Sequence, residues 1–182
     1  MSNKNFLEIG LFVGVKGIKG EVKIKSYNEV PENHFTYKEF YLENSSKIVK
    51  SLRKYSVNKL SELMNISEKI SLLNYERYIK WSLPFNKKNS HPALLLFQGD
   101  VYKGISVEDF KKEDFLFAQN SLRILSGLYG ILKPLDLIQP YRLEMGTQLK
   151  VGKHSDLYDF WGDDITKAIN KEKNSDYLIN LA

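Results

Sequence analysis

Arg142 and Glu144 stand two residues apart in "PYRLEMG". On a strand, both side chains would leave from one face. A guanidinium and a carboxylate so placed can neutralise each other. They can also form a polar site in which the guanidinium grips a phosphate or a carboxylate. Asp100 and Tyr102 follow an apolar run in "ALLLFQGDVYKG". A carboxylate at the carboxyl end of a buried strand suits acid–base work, a metal or a sugar hydroxyl, because open α/β sheets bind ligands there. Between glycines it equally suits a turn cap. The densest stretch is "SGLYGILKPLDLIQPYRLEMG", residues 126–146, where Gly127, Gly130, Lys133, Asp136, Arg142 and Glu144 interrupt an otherwise apolar run. Its glycines would let a backbone approach a phosphate closely. "LSGLYGIL" could also form a tight hairpin of two short helices that holds a DNA backbone through its amides. Asp163 belongs to a third group, with Asp159 and Asp164 in "LYDFWGDDIT". Acids near a helix start complement its macrodipole, which accounts for them structurally.

Other chemistries are absent from the sequence. There are no cysteines, so thiolate nucleophiles, thiolate metal sites and disulfides are excluded. His34, His91 and His154 share no ligand spacing, and no P-loop, dinucleotide fingerprint or nucleophile elbow occurs. The reading is therefore of a protein with no metal, no cofactor and no enzymatic activity. The net charge of +5 permits contact with nucleic-acid phosphates without demanding it. No apolar run reaches the roughly 18 residues of a membrane span. "MSNKNFLEIG" lacks the apolar core of a secretory signal. A cytoplasmic location away from membranes is expected.

The elements that must position these residues fall into two regimes. In "FLEIGLFVGV" the apolar residues alternate, and "EVKIKSY" alternates again after the turn "KGIKG". This predicts an antiparallel hairpin, the start of a small barrel, with "KEFYLE" as a third strand. From residue 44 the period becomes helical. "NSSKIVKSLRKY", "SVNKLSELM" and "SEKISLLNYERYIKW" each open on capping residues. "ALLLFQ" predicts a strand buried on both faces, and Ser106 with Asp109 a capping-box start. "EDFLFAQN" predicts a helix and "LRILS" a strand. Leu157, Trp161, Ile165 and Ala168 share one face of a helix capped by Ser155, and "DYLINLA" predicts a last strand. The fold class is α/β (α+β).

From about residue 44 to 182 the chain closely resembles the YaaA family of bacterial peroxide-stress proteins. The resemblance is carried by "LSELMNISEKI", "LLLFQGDVYKGI", "FAQNSLRILSGLYGILKPLDLIQPYRLEMGTQL", "LYDFWGDDIT" and "INLA". Residues 1–43 are similar instead to the N-terminal barrel of the ribosome maturation factor RimM. There "GVKGIKGEV" follows the pattern G-x-H-G-I-K-G-E-V, with Lys16 where that family usually has histidine. The two resemblances imply two segments, 1–43 and 44–182. The first is an incomplete antiparallel β-barrel fragment; the second a YaaA-like mixed sheet with surrounding helices. The second segment lacks the family's usual opening strand and its lysine-rich C-terminal part.

The YaaA resemblance implies protection during hydrogen peroxide stress, linked to limiting free intracellular iron. It also implies double-stranded DNA as a partner, with Gly127, Gly130, Lys133 and Arg142 as DNA-binding candidates. Asp100, Tyr102, Asp136, Glu144 and Asp163 remain as other polar site candidates. The RimM resemblance implies a different role, in small-subunit maturation and 16S rRNA processing, with the small ribosomal subunit as partner of residues 1–43.

Overall fold

The computed structural model describes residues 10–15, 22–26, 39–86, 88–172 and 177–181. Its first elements are the expected hairpin: β1 (Gly10–Val15) pairs antiparallel with β2 (Val22–Ser26). Gly10 faces Ser26 and Phe12 faces Ile24, and the register shifts before Val15 meets Val22. The "KGIKG" turn lies outside the described residues. No closed barrel forms among those that are described.

The third strand expected at "KEFYLE" is instead the start of a helix, α1 (Glu39–Leu52). Leu42, Ile48, Val49 and Leu52 recur at helical spacing and are all buried, so one continuous face decides the conformation. Ser45 does not cap a helix that begins after it. Its hydroxyl, fully buried on that face, donates to the Tyr41 carbonyl at 2.7 Å and lies 2.8 Å from the Leu128 carbonyl. The 43/44 boundary therefore falls inside an unbroken helix.

Two further helices follow the sequence closely. α2 (Val57–Met64) and α3 (Glu68–Lys80) are capped by Ser56 and Ser67, whose side chains accept from the third backbone N–H. α2 ends on Asn65 in the left-handed region, at φ 49°. The far end of α3 is held by Arg53. Its Nε donates to the Tyr78 carbonyl at 2.8 Å and its Nη2 to the Trp81 carbonyl at 2.6 Å. A cation on the last carbonyls satisfies orphan acceptors and opposes the macrodipole.

"ALLLFQ" is not a strand. Only β3 (His91–Pro92) is extended, and α4 (Ala93–Leu96) closes a helical turn directly after it. Alanine and leucine are strong helix formers without the branching that favours strands. The first two amides of the turn are taken by the Asp136 and Pro134 carbonyls, both at 2.9 Å. Asp100–Tyr102 and Val107–Asp109 are short 3-10 turns. Ser106 makes no side-chain cap bond. The acid that does cap is Asp114, which accepts the Lys111 N–H at 2.8 Å ahead of α5 (Lys112–Ser121).

"LRILS" gives β4 (Ile124–Ser126), paired antiparallel with β5 (Gly130–Leu132). β6 (Leu137–Ile138) pairs with β3. The α+β class is as expected, but the described strands form three two-stranded antiparallel ladders in place of one mixed sheet. The last helix is capped by Asp156, one residue beyond Ser155, and is broken in two. α6 (Leu157–Trp161) stops at Gly162, whose φ is +46°, and α7 (Asp164–Lys171) resumes. Leu157 and Trp161 are buried as their spacing predicts. Residues 177–181 carry no strand; Tyr177, Leu178, Ile179 and Leu181 are exposed. None of the described helices is long and apolar enough to cross a membrane.

One principal core joins α1, α2, α3, the β4–β5 hairpin and α6, with Ile48, Leu60, Leu128 and Leu157 fully enclosed. A second small cluster gathers Leu94, Leu95, Phe115 and Leu135.

Candidate functional site

Residues 126–139 are buried apart from Lys133, and Pro140, Arg142, Glu144 and Gly146 are exposed. "LSGLYGIL" is a β-hairpin with a turn at 127–129, so the expected pair of short helices is corrected. Its glycines serve internal contacts. A Cβ on Gly127 would lie 2.6 Å from the Leu143 carbonyl oxygen and 3.1 Å from the Glu144 carbonyl carbon. Gly130 has φ +73° and would press a Cβ to 3.0 Å from the Trp161 ring. Both glycines are buried. The Gly127 carbonyl accepts the Trp161 indole N–H at 3.0 Å. Gly127→Ala is expected to cost about 2 kcal/mol, because backbone rather than a flexible side chain must give way. Urea unfolding of the variant beside the parent chain measures it; an unchanged midpoint would contradict this packing.

The other residues of the stretch tie elements together. The Asp136 carboxylate, buried in its turn, accepts the Lys133 N–H at 2.8 Å. The Lys133 ammonium lies 3.8 Å from Glu172, which also binds Arg123. Residues 141–146 form no strand, yet Arg142 and Glu144 do pair, at 3.3 Å and largely exposed to solvent. Around them lies an aromatic cluster. The Tyr129 and Tyr141 rings meet edge to face at 5.2 Å, Phe97 meets Tyr141 at 6.1 Å, and Tyr102 stacks on Phe97 at 5.3 Å. The Tyr141 and Ser126 hydroxyls are 2.6 Å apart, and the Tyr78 hydroxyl donates to the Arg142 carbonyl. Burial pushes the phenols of Tyr78, Tyr129 and Tyr141 well above the ordinary tyrosine value. All three are neutral, and they act as hydrogen-bonding struts.

Asp100 opens a 3-10 turn after α4, so it does not sit at a strand end; its side chain lies outside the described residues. Asp163 is exposed before α7 and pairs with Lys167 at 3.7 Å. The expected polar residues are thus dispersed among turns and ion pairs. Among the described residues no three His, Asp or Glu side chains come together as a metal site.

A different place concentrates charge. An open groove of about 540 Å³ runs between α1 with the turn after it and the residues around the isolated bridge Val151–His154. Lys47, Lys50 and Lys54 line one side, and Lys153 the other. His154, Phe160 and Asp164 complete it. Lys47 is 3.3 Å from Glu43. The Asp159 carboxyl is held below the usual carboxylate range by the Ser155 N–H and by His154, 3.3 Å away. Four lysines against one lining carboxylate make a cationic trough. Neither Lys133 nor Arg142 lines it. The sequence signal was the spacing of Lys47, Lys50 and Lys54, which fits one helical face. What that face meets could not be read.

Residues 21–182 match the family model described as "Peroxide stress protein YaaA". The chain belongs to that family. A UPF0246 protein of Acaryochloris marina is 58% identical over 139 residues, covering 76% of this chain and 55% of the relative. One from Saccharophagus degradans is 51% identical over 150 residues, covering 81% and 59%. One from Teredinibacter turnerae is 52% identical over 144 residues, covering 78% and 56%. The YaaA-family chain thus spans a little over half the length of these curated relatives. The family match takes in residues 21–43, which the RimM-like reading had set apart, and nothing in these similarities supports kinship with RimM.

Proposed function

We propose that this YaaA-family chain acts in peroxide-stress protection by binding, not catalysis, and that it holds DNA phosphates along the lysine-lined groove. One observation carries the reading: four lysines from segments about a hundred residues apart face a single groove. Cations so gathered raise the local potential and replace the condensed counterions of a nucleic acid. The link to iron is physical. Ferrous iron held at DNA phosphates reduces hydrogen peroxide to hydroxide and a hydroxyl radical, itself becoming ferric, and the radical forms beside the strand. A protein that occupies phosphates displaces cations from them. The net charge of +5 and the family description agree with this role.

The test is the double variant Lys50→Glu/Lys54→Glu against a short labelled DNA duplex at low salt. Two phosphate contacts are lost, so affinity should fall at least about tenfold and the slope of log affinity against log salt should decrease by about 2. Duplex affinity unchanged in the variant, or independent of salt in the parent chain, defeats the proposal.

A further inference from the structure

We propose that the groove receives an unpaired nucleotide, its base on the Phe160 wall and its phosphates on the lysines. This rests on the phosphate reading above and narrows it to a ligand class. A site for duplex phosphates alone needs only cations. This one also has a half-buried aromatic side chain, Phe160, in its lining. The Phe160 ring is fixed on two sides. It meets His154 at 5.6 Å and 87°, and Trp161 at 5.3 Å and 81°. A ring held by two perpendicular neighbours is preorganised, so a base that stacks on it orders little that was mobile.

The chemistry of the walls divides accordingly. The lysines of α1 and its following turn bind phosphate oxygens as point charges. Asp164 repels phosphate but accepts from a base amine or a sugar hydroxyl. Asn44 and Ser51 add neutral polar groups on the α1 side. The groove's volume, about 540 Å³, lies within the roughly 300–1,000 Å³ of small-ligand sites. Bases inside a duplex present no face to a protein, whereas an unpaired base does, and each base stacked on an aromatic ring contributes about 1–3 kcal/mol.

Two sources offer this chemistry: a free nucleotide, and a nucleotide within a single strand. Anisotropy titrations at low salt with labelled oligothymidylate, a duplex of equal length, and unlabelled ADP as competitor separate them. Oligothymidylate should bind at least about tenfold more tightly than the duplex. Phe160→Leu, which keeps an apolar side chain against Trp161, should erase that preference. Phe160→Trp should retain it, which guards against a leucine variant that simply loosens the fold. Displacement by ADP assigns the site to free nucleotides; preference for the strand without displacement assigns it to single-stranded nucleic acid. Equal or tighter binding of the duplex, or an undiminished preference in Phe160→Leu, overturns the inference while leaving the phosphate reading intact. Indifference to Lys50→Glu/Lys54→Glu overturns both.

Discussion

Tyr129→Phe removes one oxygen atom and is expected to lower folding stability by about 3 kcal/mol. The Tyr129 hydroxyl accepts the Trp81 indole N–H at 3.0 Å and the Gln139 N–H at 3.1 Å, and lies 3.2 Å from the Gln139 carbonyl. Tyr129 is 1% exposed and Trp81 5%. Without the oxygen, two buried donors have no acceptor, and each unsatisfied group costs about 1–3 kcal/mol. That is a large part of the roughly 5–15 kcal/mol that holds a domain folded. Urea unfolding with a common slope gives the number. A loss below about 1 kcal/mol would mean that the two donors find new partners. A double-mutant cycle with Trp81→Phe sharpens the test. Removing donor and acceptor together should cost less than the sum of the single changes.

The same cluster sets an alkaline limit on the fold. Tyr78, Tyr129 and Tyr141 are all raised above the ordinary phenol value, chiefly by burial. A raised value means that the folded chain keeps its phenol protons at a pH where the unfolded chain has released them. Stability is then level below about pH 10 and falls above it, since the unfolded state binds fewer protons. Each such phenol steepens the fall by about 1.4 kcal/mol per pH unit, so three together give about 4. Helical circular dichroism should therefore hold steady up to about pH 10 and collapse cooperatively between about pH 10 and 12. Phenolate absorbance should rise in the same step. Ionisation of all tyrosines near pH 10, with the helical signal intact, would show that these three are not enclosed.

Both expectations grow from the stretch that first looked like a ligand site. Three glycines, two prolines and four charges among apolar residues suggested phosphate contact, and of these Gly127, Gly130 and Asp136 are buried within the core. Gly127 is glycine because the backbone of Leu143 and Glu144 passes within van der Waals range. Gly130 is glycine because its φ is positive and the Trp161 ring covers it. Nothing local distinguishes a glycine that admits a phosphate from one that admits another part of the same chain.

What the sequence determined by itself is whatever depends on a few adjacent residues. Ser56 and Ser67 cap their helices because a serine side chain three residues ahead of a free N–H needs no distant partner. The β1–β2 pairing, β4, α5 and the burial of Leu157 and Trp161 were legible for the same reason: period and turn chemistry are local. The long family motifs were legible because they lie in order along the chain. The tertiary structure decided the rest. "ALLLFQ" carries no period to separate strand from helix, and its composition favours the helical turn whose first amides the carbonyls of Pro134 and Asp136 take. "KEFYLE" could alternate or turn, and the buried face continuing to Leu52 chose the helix. The groove is the clearest case. Lys47 and Lys50 on α1 and Lys54 in the turn after it lie close along the sequence, but Lys153, His154 and Phe160 meet them only after the chain folds back across about a hundred residues. Charge and spacing are properties of a segment; a concave site belongs to two segments at once, and packing alone brings them together.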